Sequence, residues 1–279
     1  MQVVKTISEL GSARRNLPPA VGLVPTMGFL HDGHLSLIRA AQRECASVIV
    51  SIFVNPTQFA PHEDLDAYPR NTARDLELLA EEGAHLVWIP DAQEMYPEGY
   101  QTWIEVDEVT RPLEGLYRPG HFRGVTTVVA KLFNAAAPHK AYFGQKDAQQ
   151  AAVIQRMARD LNFELEVKVC PIVREPDGLA MSSRNAYLDP EERRAAAILF
   201  KALSNAQTAF NNGERSADAM RNIMRAALNS EPLANPQYIS CSNPDTLLEL
   251  TGEINGRALL SMAVYIGKTR LIDNMILEA

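Results

Sequence analysis

A chain of 279 residues, 46% hydrophobic and 22% charged, is long enough for one large domain or a large and a small one around a sizeable core. Its formal net charge of −7 argues against a broad nucleic-acid footprint, because phosphate backbones are bound by basic surfaces. No stretch approaches the roughly 18–20 uncharged apolar residues of a membrane span, MQVVKTISEL lacks the apolar core of a secretory signal, and the three cysteines, Cys45, Cys170 and Cys241, include no C-x-x-C pair. The expectation is a cytoplasmic protein with neither a disulfide framework nor a zinc site.

In chain order, the apolar run Val21–Thr26 predicts a strand and Gly33–Glu44 a helix. Ser47–Val54 (SVIVSIFV) is apolar on both faces, as expected of a central parallel strand covered by helices on each side. A helix over Thr72–Glu82 and a strand over His85–Ile89 follow. Next come a helix over Phe122–Ala136, a strand over Lys140–Phe143, a helix over Ala148–Asp160 and a strand over Glu164–Val169. This alternation predicts a doubly wound α/β sheet over residues 1–174. After Arg174 a polar loop, REPDGLAMSSRNAYL, leads to Asp189-Pro190-Glu191, an N-cap followed by proline at the first helical position. One helix running to about Phe210, a second over Ser216–Leu228, and short strands near Gln237–Cys241, Ala258–Tyr265 and Arg270–Asp273 predict a smaller α+β domain over 175–279.

Four stretches carry chemistry. In GLVPTMGFLHDGHLSLI, His31-Asp32-Gly33-His34 stands where a buried strand gives way to a helix. Two readings are open: imidazoles that satisfy hydrogen bonds at a helix start, or donors to a ligand. A metal reading needs a third ligand, and none is evident. Pro25-Thr26-Met27-Gly28 ends the strand at the carboxyl edge of the sheet, where open α/β sheets bind ligands. Gly28 and Gly33 permit close backbone approach, and the helix aims free N–H groups and its dipole at the same spot. That spot suits a triphosphate.

In SIFVNPTQF, Asn55-Pro56 by itself reads as a plain turn, while Gln58 beside apolar Phe59 offers a donor and an acceptor to a small hydroxy acid. In AYFGQKDAQQ, Lys146 opens a helix, where the dipole disfavours a cation unless a bound phosphate reverses the sign; a solvated surface lysine is the alternative. In PIVREPDGLAMSSRNAYL, Met181-Ser182-Ser183-Arg184 supplies two hydroxyls and a guanidinium that matches phosphate oxygens; the alternative is a solvated linker. Arg118, His121 and Arg123 either line a pyrophosphate path or cap the helix that follows.

His31–His34 resembles the H-x-G-H signature of the nucleotidyltransferase superfamily, whose members attack an α-phosphate in line and expel pyrophosphate. Met181–Arg184 resembles that superfamily's K-M-S-K-S-type loop, with Arg184 in place of the second lysine. Taken together, PTMGFLHDGH, SIFVNPTQF, RPGHFRGV, FGQKDAQQ, DGLAMSSRN and the carboxyl-terminal TRLIDN resemble the pantothenate synthetase (pantoate–β-alanine ligase) family through nearly the whole chain. Gln145 departs from that family's usual glutamate.

The resemblance implies a Rossmann-like H-x-G-H sheet with a C-terminal lid, a cytoplasmic homodimer, and ATP-dependent condensation of (R)-pantoate with β-alanine through pantoyl adenylate. It implies an ATP site on Met27, Gly28, Phe29, Leu30, His31, Asp32, Gly33 and His34, on Gly144, Gln145, Lys146 and Asp147, and on Val173, Met181, Ser182, Ser183 and Arg184. His34, assisted by His31, Lys146 and Arg184, carries the chemistry. Gln58 and Gln150 hold pantoate, Gln58 also lies near β-alanine, and Phe59 packs the gem-dimethyl group. Mg²⁺ accompanies ATP with ligands unassigned; Asp75, Asp64 and Asp66 are the candidates. The expected partners are these small molecules, with no nucleic acid and no membrane. Two rivals stand beside this reading: a small H-x-G-H adenylyltransferase acting on a phosphorylated acceptor, and a nucleotide sensor that has lost its chemistry.

Overall fold

The computed structural model describes residues 1–61 and 63–278. Six strands form one parallel sheet: β1 (Gln2–Val4), β2 (Val21–Thr26), β3 (Ser47–Ile52), β4 (Leu86–Trp88), β5 (Lys140–Gly144) and β6 (Glu166–Cys170), in the order β1-β4-β3-β2-β5-β6. The alternation along β3 feeds both faces. Ile49 points into one core with residues of α1 (Ile7–Arg14), while Val48 and Val50 point into another with α2 (Asp32–Glu44) and α3 (Thr72–Glu81). After the short α4 (Ala92–Met95) and α5 (Glu114–Tyr117), the long α6 (His121–Ala136) and α7 (Ala148–Asp160) join the face of α1. Stiff β-branched residues fill the pleat well, which is why the doubly covered strand is so rich in them.

From β2 the chain moves outward through β3 to β4, then crosses back to place β5 on the other side of β2. The connections leaving β2 and β5 therefore part in opposite directions, opening a crevice at the carboxyl ends of these two strands. The connections to α2 and α7 flank that crevice.

The carboxyl-terminal part packs α8 (Pro190–Ala195), α9 (Ile198–Asn211) and α10 (Ala217–Asn229) on an antiparallel sheet of β7 (Ala234–Ser242), β8 (Arg257–Ile266) and β9 (Thr269–Glu278). Leu199, Leu203, Phe210, Met224, Leu260 and Met262 belong to its core. Toward the parallel sheet, Leu113, Leu247 and Leu259 form a separate apolar cluster. Beside it, the Glu114 carboxylate accepts two N–H bonds from Arg270 at 2.8 Å each and one O–H from Tyr238 at 2.9 Å. Burial alone raises the Glu114 pKa, but the hydrogen bonds and charge of Arg270 outweigh it and hold the carboxyl below its ordinary value.

The predicted boundaries of β2 and α7 agree to the residue, and most others lie within one or two. The expected single helix after Asp189 is two, parted at Ala196–Ala197; with no glycine or proline there, nothing local marks the break. Both sides of the break bury apolar residues (Ala195, Ala196, Ile198, Leu199) in one core. β1 and α1 are additions to the sequence reading. Three residues carry no period, and α1 lacks an apolar stripe, yet its start is written in a Thr6–Glu9 capping box. Among the described residues, no helix is long and apolar enough to cross a membrane.

Candidate active site

The β2–α2 connection is shaped from below by Asp75. Its two carboxylate oxygens each accept a backbone N–H, from Phe29 and Leu30, both at 2.8 Å, and the side chain is only 1% exposed. Gly28 and Phe29 take left-handed φ angles of 80° and 50°, which turn these N–H groups toward one anion. Arg74 donates to the Leu30 carbonyl at 2.9 Å. As a candidate Mg²⁺ ligand Asp75 is disfavoured, because both of its oxygens are occupied by the turn. Of the other two candidates, Asp64 has both oxygens paired with Arg184, and Asp66 is exposed.

His31 caps α2. Its Nδ1 accepts the Gly33 N–H at 3.1 Å, and the His34 Nδ1 accepts the His31 N–H at 3.4 Å. A side chain at Gly33 would push its Cβ to 2.8 Å from the His31 ring, so glycine is needed for this cap. With both Nδ1 atoms accepting, the remaining proton of each neutral ring sits on Nε2. Burial, reinforced by the Lys146 charge, lowers the His31 pKa to about 4; burial, then His31 and Lys146, holds His34 well below its ordinary value. The first reading left open by the sequence holds, since one nitrogen of each ring accepts a backbone N–H at the helix start, and it leaves the other nitrogen of each ring as a donor.

A cavity of about 220 Å³ lies at the switch point. Met27, His31, Gly33 and His34 line it from the β2 side. Gly144, Lys146, Asp147 and Gln150 line it from the β5 side, and Val173 with Met181–Arg184 closes it from the loop after β6. Gln58 and Phe59 stand on a third side. Asn55 donates to Gln58 Oε1 at 3.2 Å, which turns the Gln58 Nε2 donor toward Met27 Sδ and the cavity. Gln150 reaches the cavity while Gln149, one residue and about 100° earlier on the helix, is buried against Val109, Pro112 and the Glu114 N–H.

Five expected site residues do not line this cavity: Gly28, Phe29, Leu30, Asp32 and Gln145. The first three form the Asp75-clamped turn, with Leu30 in the core. Asp32 is an exposed first-turn residue of α2. Gln145 turns its amide away, donating to Asn274 Oδ1 at 3.0 Å.

Arg184 forms a bidentate pair with Asp64 at 2.8 and 2.9 Å. Burial raises the Asp64 pKa, but the Arg184 hydrogen bonds and charge overcome it and keep the carboxyl below its ordinary value. The Lys146 side chain, 19% exposed, has a looser contact, 3.6 Å to Asp147. Ser183 Oγ donates to the Phe29 carbonyl at 3.3 Å, joining the loop after β6 to the turn after β2.

The alternatives for Arg118, His121 and Arg123 separate. Arg118 and His121 line the cavity; Arg118 pairs with Glu63 at 2.7 Å and donates to His121 Nε2 at 3.1 Å, whose Nδ1 donates to the Gln58 carbonyl at 2.8 Å. Burial and then the Arg118 charge lower the His121 pKa to about 4. Arg123 points elsewhere, over Trp103 and beside Glu105. The sequence reading missed Asn55 and Tyr68, and the apolar wall of Val125, Val128, Val129 and Leu132 on α6. The period of α6 was legible, but a stripe at helical spacing does not tell core from cavity wall.

A parallel sheet whose switch point gathers a helix N-terminus, neutral imidazole donors, a lysine and an arginine belongs to a class of α/β enzymes that handle anionic substrates. Comparison with known proteins narrows the class. The model of the family described as Pantoate-beta-alanine ligase matches residues 2–276, and the chain belongs to that family. It is 60% identical over 279 residues, covering both chains fully, to the pantothenate synthetase of Roseiflexus castenholzii. It is 56% identical over 277 residues to that of Herpetosiphon aurantiacus, covering 99% of this chain and 100% of the other. Its structure resembles the crystal structure of pantothenate synthetase from Thermus thermophilus with a TM-score of 0.94 at 46% identity, covering 99% of each chain. A Francisella tularensis pantoate-beta-alanine ligase complexed with beta-gamma ATP and beta-alanine matches with a TM-score of 0.82 at 36% identity, over 99% of this chain and 97% of the other. The chain is thus a ligase that condenses pantoate with β-alanine.

Proposed function

We propose that the cleft performs this condensation by adenylation: ATP and (R)-pantoate give pantoyl adenylate and diphosphate, and β-alanine then gives pantothenate and AMP. One observation carries the reading: His31, His34, Lys146 and Arg184 line the same cavity as Gln58 and Gln150.

The chemistry explains why those residue types are needed. An amide cannot form directly from a carboxylate, because oxide is a hopeless leaving group. In the first step a pantoate carboxylate oxygen bonds to the α-phosphorus, and the bond from that phosphorus to the diphosphate oxygen breaks. In the second the β-alanine nitrogen bonds to the acyl carbon, the bond to AMP breaks, and the nitrogen releases its proton. A carboxylate approaching a phosphate meets like charge, so the site needs cations and donors more than a base. One unit charge at about 4 Å, in an effective dielectric near 20, contributes roughly 4 kcal/mol.

The roles follow. Lys146 and Arg184 offset the repulsion, with Arg184 exchanging Asp64 for phosphate. His34, with His31 beside it, acts as a neutral hydrogen-bond donor to phosphate oxygens. The α2 N-terminus, Gly144, Asp147, Val173 and Met181–Ser183 complete the nucleotide's surroundings. Gln58 and Gln150 bind pantoate, Gln58 also faces β-alanine, and Phe59 packs the dimethyl group. Mg²⁺ enters on the nucleotide. Among the described residues, no three His, Cys, Asp or Glu side chains converge to hold a metal, and no step is assigned to the ion.

The proposal takes residues 1–174 as the nucleotide- and pantoate-binding unit and 175–279 as a lid; Val173 on the cavity and Leu179 in the C-terminal core support a division there. It includes membership of the H-x-G-H superfamily and a cytoplasmic homodimer without nucleic-acid partners, the last in keeping with the net charge of −7. AMP formation measured with ATP, pantoate and β-alanine tests it, together with pyrophosphate exchange driven by pantoate alone. Exchange that ignores pantoate, or AMP release that ignores β-alanine, would overturn it.

A further inference from the structure

Two adjacent buried residues of β9 tie the C-terminal sheet to both cationic segments of the cleft. Asn274, 3% exposed, donates from Nδ2 to the carbonyl oxygens of Gln145 and Lys146, each at 2.9 Å, and accepts from Gln145 Nε2 at 3.0 Å. Asp273 accepts two N–H bonds from Arg174 at 2.7 and 3.0 Å, and Arg174 also donates to the Gly178 carbonyl at 3.0 Å. That second contact braces the bridge between Arg174 and Ala180 from which Met181–Arg184 emerges.

The turn at 145–147 lacks a side-chain cap of its own, so Asn274 supplies the partners that its local sequence does not. The Lys146 carbonyl belongs to the residue whose ammonium lines the cavity, so moving one moves the other. We infer that Asn274 is a positioning residue, which acts from the C-terminal sheet through the backbone of the 145–147 turn to set where Lys146 meets an anionic nucleotide. The inference rests on the ligase reading only for the identity of the reaction. A primary amide suits the task because it offers two donors and an acceptor in one plane. Aspartate is nearly the same size, yet it turns an acceptor toward carbonyl oxygens that need donors.

The test compares the unaltered protein, Asn274→Asp, Lys146→Ala and the double variant, by calorimetric affinity for a non-hydrolysable ATP analogue and by pantoate-dependent AMP formation. Because misplacement by about 1 Å can cost about 100-fold, Asn274→Asp is expected to weaken the analogue about 10-fold and to slow AMP formation about 10- to 100-fold, with the pantoate KM changed less than about 2-fold. In the Lys146→Ala background the same change is expected to cost less than about 2-fold in either readout, since residues acting as a unit are not additive. Equal losses in both backgrounds would show a general structural role and overturn the inference. Asn274→Ser, which keeps one donor, is expected to fall between; a serine variant as impaired as a poorly folded aspartate one would also count against it. If the unaltered protein binds the analogue but forms no AMP, the ligase reading fails while the affinities still decide Asn274.

Discussion

Asp75→Asn removes one carboxylate oxygen from beneath the Phe29–Leu30 turn. Both oxygens are in use at 2.8 Å in a site 1% exposed, and the acceptor is charged. An amide keeps one acceptor and turns an N–H toward the second backbone N–H, so one bond is lost and two buried donors face each other unpaired. A hydrogen bond to a charged group contributes about 1.5–3 kcal/mol, and an unsatisfied buried donor costs about 1–3 kcal/mol; these overlap, so the expected loss is about 2–4 kcal/mol. The turn also holds Phe29 at φ 50°, which the remaining single bond restrains less well. Urea unfolding measures the stability, and steady-state kinetics should show the ATP requirement rising about 10-fold or more while the pantoate requirement stays within about 3-fold. A variant of unchanged stability and ATP requirement would refute the clamp. Unchanged stability with an altered Mg²⁺ dependence would return Asp75 to the metal.

Three further outcomes are expected. His34→Ala should lower adenylation by about 10²–10³-fold, the usual cost of one preorganised donor; near-normal turnover in a folded variant would remove that role. Gln150→Ala should raise the pantoate requirement far more than the ATP requirement, and equal effects on both would contradict its assignment. The ligand-free protein should also lose stability as pH falls from about 6.5 toward about 4. Burial lowers His31 and His121 to about 4 and His34 well below its ordinary value, so across this window the unfolded chain binds more protons and stability rises with pH. Each histidine contributes at most about 1.4 kcal/mol per pH unit; urea midpoints independent of pH over this range would sink the argument.

What is local was legible in the sequence. The apolar run of Val21–Thr26 and the helical period of Ala148–Asp160 need only neighbouring residues, and both elements form with the expected bounds. Motifs at strand ends were equally readable, because a sheet's topology brings those ends to one crevice: His31, His34, Lys146, Gln58, Gln150 and Arg184 all line the cavity.

Pairing was not legible, because it depends on residues far apart in the chain. Asp75 read as a metal candidate until the fold set it 45 and 46 positions from the N–H groups that occupy it. Arg184 read as a guanidinium suited to phosphate oxygens, and nothing in its own stretch showed that it meets Asp64 across 120 residues. Gln145 read as part of the ATP site through the backbone of its loop, and nothing local showed that its amide faces Asn274, 129 residues away. Residue types and periods determined by the sequence say which chemistry is available. Only the tertiary packing, which brings segments far apart in the chain together, decides which polar groups are spent on each other and which remain for substrate.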